Sequence, residues 1–168
     1  DSLMVGDFYT SCTGYQVVKY AQSNNVLETG RWMATDNDMP IFRAAEVYLN
    51  FAEAKAELGT LTQNDLDVPV NKIRARAKMP SLNLTAANDS PDPYMIECYP
   101  NVDKGSNRGV ILEIRRERTV ELALEEPERV WDMFRWAEAK QCLQHYVPWY
   151  GVYIPALGAY DTTGDGKA

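Results

Sequence analysis

Residues 112–136 read LEIRRERTVELALEEPERVWDMFRW, and this stretch constrains the fold more than any other. Its spacing suits a helix, yet it breaks the rule that a helix is apolar on one side and charged on the other. At about 100° per residue, Arg118, Glu121 and Glu125 fall among Val110, Ile111, Ile114 and Leu122. Charged groups therefore share the side that should be buried. A buried charge without a partner is very costly, so each must meet an opposite charge. Arg118/Glu121, Glu125/Arg129 and Asp132/Arg135 stand three or four residues apart, within reach along a helix. Arg and Glu from neighbouring helices offer further partners.

Two chemical readings of the stretch fail. A basic recognition helix would carry excess positive charge, but residues 108–140 hold seven basic and eight acidic side chains. A carboxylate active site needs two acids held apart across a cleft. Here the acids are strung among arginines that lower their pKa. What remains is a buried ion-pair scaffold of Arg116, Arg118, Glu121, Glu125, Arg129, Asp132 and Arg135.

The remaining sequence is read around that scaffold. Its 168 residues suit one domain, and a hydrophobic fraction of 45% can build a core. The net charge of −7 argues against broad contact with nucleic-acid phosphates and suits neutral or cationic partners. Cys12, Cys98 and Cys142 lie far apart with no histidine cluster, which argues against zinc. The odd count leaves at least one thiol free. No apolar run approaches a membrane span. The opening DSLMVGDFY has neither a start methionine nor a signal peptide, as expected of a mature, trimmed or partial chain.

Residues 1–40 read as irregular structure with a short strand at TGYQVVKY. Residues 41–79 read as a helix pair. In its first helix Arg43, Glu46, Asn50, Glu53 and Glu57 share one narrow polar stripe, so apolar neighbours are expected on several sides. Gly59 is a good stop. In the second, Leu66, Val70, Ile73 and Ala77 share a face, with Pro69 in the first turn. Together they have the size of one TPR-type helical repeat unit. Residues 80–107 read as a long loop, 108–140 as a second helix pair interrupted at Glu126-Pro127, and 141–168 as an irregular tail. The expected fold is mostly α, with TPR-like helix pairs, long irregular loops and short strands.

The same spacing carries a family resemblance. Arg116, Glu117, Arg118, Glu121, Leu122, Glu125, Arg129, Asp132, Arg135 and Trp136 resemble the pattern R-E-R-x-x-E-L-x-x-E-G-x-R-x-x-D-x-x-R-W of the SusD/RagB family. The chain departs from it at Glu126-Pro127-Glu128, where the family usually has Gly followed by His or Arg. RAAEVYLNFAEAKAELG, VNKIRARAKMP, TGYQVVKY and the ending AYDTTGDGKA also resemble family segments, in the same order. The resemblance implies the C-terminal part of a longer outer-membrane lipoprotein of Bacteroidetes. Such proteins hold a glycan or other nutrient at the cell surface, without catalysis or cofactor, as a lid on a TonB-dependent transporter of the SusC type. Membrane attachment would be through a lipid anchor outside this chain. The helices would be scaffold, with a face toward the transporter.

No motif carries ligand residues across. Sugars bind on aromatic platforms flanked by polar groups. The aromatics in loop contexts are Trp32, Tyr94, Tyr99, Trp149, Tyr150 and Tyr153, while Trp131 and Trp136 read as core. The lone His145 lacks a nucleophile motif. DTTGDG offers Asp161 and Asp165 toward a calcium loop, but Thr163 is off-pattern and a metal-free turn is the better reading. Two other functions stay open: a TPR-like protein–protein scaffold without a small ligand, and a glycoside hydrolase or another enzyme, which would need two carboxylates facing across a pocket.

Overall fold

The computed structural model describes residues 40–125 and 128–144, with Lys19 and Ala156, and the side chains of all these except 128 and 142–144. Helices α1 (Ala44–Glu57), α2 (Gln63–Asp67), α3 (Val70–Arg76), α4 (Leu84–Asp89) and α5 (Pro93–Cys98) follow in order. A 3₁₀ turn at Gly105–Asn107 leads into α6 (Arg108–Glu121), then α7 (Glu128–Arg135) and α8 (Ala139–Gln144). The fold is mostly helical, as expected, and no strand occurs among the described residues. The anticipated strand at 13–20 lies outside them, apart from Lys19. The chain divides into two units, residues 40–146 and residues 1–39 with 147–168. The helices form the first.

The core of that unit is built on α6. Val110, Ile111, Leu112 and Ile114 are fully buried, and α1 packs along them through Leu49, Ala52 and Ala56. Leu66, Val70 and Ile73 bring in α2 and α3, and Met95 brings in α5. Helix α4 crosses so close to α6 that a Cβ on Gly109 would lie 1.9 Å from the carbonyl oxygen of Ala87. Only glycine permits that approach.

Several boundaries differ from the sequence reading. The second helix of the first pair begins at Gln63, where Thr62 and Asp65 form a capping box. It then divides at Val68-Pro69 into α2 and α3. Residues 80–107 are not one long loop. Asn83 caps α4 by accepting from the amide of Ala86, and Asp92 caps α5 by accepting from that of Tyr94, with Pro93 at its first position. Caps can organise helices of six residues, which are too short for hydrophobic periodicity to reveal. Helix α6 ends at Glu121, ahead of Pro127, with Leu122 as its C-cap and Leu124 left-handed at φ 63° just beyond. Residues 141–144 belong to α8 rather than to an irregular tail.

Three helices end in the same way. After α1 the amide of Thr60 bonds the carbonyl of Lys55 and that of Gly59 bonds Ala56, with Gly59 at φ 70°. After α3 the same pair of bonds forms around Lys78 at φ 57°, and after α7 around Ala137 at φ 57°. This is the Schellman motif, whose left-handed position glycine usually occupies.

Candidate functional site

The charged network lies between helices more than along them. Arg118, 4% exposed, donates from Nε and Nη2 to the two carboxylate oxygens of Asp132 at 2.9 and 3.1 Å. Its Nη1 reaches Asn50 Oδ1 on α1 at 2.5 Å. Glu53, also 4% exposed, accepts from Arg135 at 2.6 and 2.7 Å and from the indole N–H of Trp136 at 2.5 Å. Arg135 also donates to Asp132 at 2.8 Å, a pair that the helical spacing led one to expect. Burial alone would push the Arg135 guanidinium down, but its bonds to Glu53 and Asp132 hold it above the usual arginine range.

A second group ties the ends of α1, α3 and α6. Arg43 forks onto Glu125 at 2.8 and 2.5 Å and also meets Glu121, both its carboxylate and its main-chain carbonyl, at 3.0 and 3.1 Å. The Glu125 carboxylate, followed by Glu121, raises the Arg43 pKa against the opposing effect of burial. Glu121 also takes Arg76 from α3 at 2.6 Å. Arg74 pairs with Glu117, and Arg116 with Asp92.

Arg115 stands apart. It is buried, and its guanidinium carbon lies 4.5 Å from the Trp136 ring and 5.5 Å from that of Tyr99. The two rings meet edge-on, 5.7 Å between centres. Its nearest carboxylates are Glu138 at 3.5 Å and Glu57 at 3.9 Å, and its Nε and Nη1 make no hydrogen bond. Burial lowers its pKa. Stacking on aromatic faces offsets part of that cost. Glu138, fully enclosed, accepts from the amide and the side chain of Asn101 at 3.0 Å each.

The helical wheel of α1 needs correcting in this light. Its polar stripe runs along a seam between helices and is only partly open to solvent. Glu53 is buried, and Arg43, Asn50 and Glu57 point to partners on α6 and the segment just after it, while Val47, Phe51 and Leu58 are exposed. The sequence reading therefore missed Arg43, Asn50, Glu53, Arg115 and Glu138 as members of the network. The signal available was the thinness of the stripe, which matches a seam between helices as well as a strip facing solvent.

The carboxylates of this network are held by arginines. A cavity of about 270 Å³ beside it is lined by Arg118, Thr119, Leu122, Ala123, Leu124, Arg129 and Asp132. Its polar walls are engaged with one another: Arg118 with Asp132, Arg129 with the Thr119 hydroxyl, and that hydroxyl with the carbonyl of Arg115. Burial raises the pKa of Glu117 and of Glu138. Glu117 packs on Arg74, however, and Glu138 is sealed from solvent, so neither faces a second acid across a cleft. The arrangement supports a scaffold.

Of the aromatics named from sequence, Tyr94 is 56% exposed on α5, where the nearby Cys98 thiol pushes its pKa up. Tyr99 is 3% exposed, in the core. Trp32, Trp149, Tyr150 and Tyr153 lie outside the described residues, as do His145, Asp161 and Asp165. Trp136 is core, as expected, but Trp131 is 65% exposed. Cys98 is a free thiol, and nothing is described of the side chains of Cys12 and Cys142. Among the described residues no group of three or more His, Cys, Asp or Glu could hold a metal, and no helix is long and apolar enough to cross a membrane.

Among the described residues the helical unit is a scaffold clamped by buried Arg–carboxylate pairs. The SusD family model matches residues 6–155, most of the chain, and the chain belongs to that family. Its members are nutrient- and glycan-binding proteins of the cell surface, generally non-catalytic and typically associated with the outer membrane as lipoproteins. No curated protein and no solved structure gives a significant match.

Proposed function

We propose that this chain captures an oligosaccharide or a related nutrient at the bacterial outer-membrane surface, without catalysis, for import through a TonB-dependent transporter of the SusC type. The family match over residues 6–155 carries this reading. The engaged carboxylates of the helical unit support it, because they give the charged faces of α1, α6 and α7 a structural role. Tyr94, Trp32, Trp149, Tyr150 and Tyr153 are the aromatic platforms to test first.

A glycan-array and affinity-gel screen of this chain is expected to show retention on at least one polysaccharide, weakened by alanine at one or more of those aromatics. A folded chain retained by no glycan would favour the second reading, a TPR-like protein–protein scaffold without a small ligand. The exposed apolar side chains of α1 and α7 favour that alternative: Phe51 is 46% exposed, and Trp131 and Phe134 are each 65% exposed.

A further inference from the structure

We draw no further inference here: the strongest candidate, the apolar surface that α1 and α7 present through Val47, Phe51, Trp131 and Phe134, carries nothing because nothing in the structure shows what covers it.

Discussion

Asp132 and Arg118 are almost completely buried, and each is the other's principal partner. Removing one leaves the other charged in a low-dielectric setting. Asp132→Ala should therefore cost about 3–5 kcal/mol in urea unfolding followed by circular dichroism. Replacing both, Arg118→Met with Asp132→Leu, should recover much of that loss, since two apolar side chains leave no unpaired charge. A double variant no better than the single one would show that the pair is not the energetic unit. Glu138 gives a test with pH. Burial raises its pKa more than Asn101 and Arg115 lower it, so the folded chain holds this proton more tightly than the unfolded one. That stability is fully present below the ordinary glutamate range and is lost as pH rises through the raised value. Glu138→Gln fixes the neutral form, so the variant should lose less stability than the parent between about pH 4 and about pH 8. Unfolding midpoints at the two ends would check it. Neither Glu138 nor Arg115 could be placed from sequence. Their partners come from Asn101 and from the rings of Tyr99 and Trp136. Such long-range meetings leave no local pattern, whereas Asp132/Arg135 was readable from its helical spacing alone.

The elements differ in how plainly the chain announces them. Helices α1, α6 and α7 were legible from apolar and charged positions recurring at helical spacing. Helices α4 and α5 rest on Asn83 and Asp92, whose capping bonds act over one turn only. The break at Val68-Pro69 follows from proline chemistry, but its place in the helix pair depends on the capping box at Thr62. The Schellman caps yield a prediction. Lys78 and Ala137 hold a left-handed conformation that costs an L-residue about 1–2 kcal/mol, while glycine's extra chain entropy costs about 0.5–1 kcal/mol. Lys78→Gly and Ala137→Gly should each stabilise by several tenths to about 1 kcal/mol, seen as a raised Tm. Gly109→Ala should act in the opposite direction. The added methyl meets the main chain of Ala87 and Asn88, which cannot rotate away. A loss of about 1–3 kcal/mol is expected, with faster amide exchange concentrated in residues 84–89 as α4 lifts from α6.

Across the whole molecule, scaffold and ligand capture should be separable. Folded variants of the network, such as Glu138→Gln, should keep the glycan retention of the parent chain even where their stability differs, and the affinity gel used for the parent would show it. The mostly helical fold was legible because several spaced charges and apolar positions agreed along the chain. The location of the ligand site was not, because sugar-binding aromatics need no fixed spacing and several candidates lie outside the described residues. The inward stripe of α1 has one further consequence. Arg43, Asn50, Glu53 and Glu57 each answer to a different partner: Glu125, Arg118, Arg135 and Arg115. An oily seam can slide by a turn and still bury its methyl groups. This one works like a key with unequal teeth, since a shift of one turn, about 5.4 Å, would take the buried Glu53 away from Arg135 and Trp136 and mismatch the more exposed groups beside it. The registers available to α1 then reduce to a single one. Amide exchange in α1 and α6 should accordingly respond to denaturant in unison, at one midpoint, with no intermediate in which α1 is docked but misaligned.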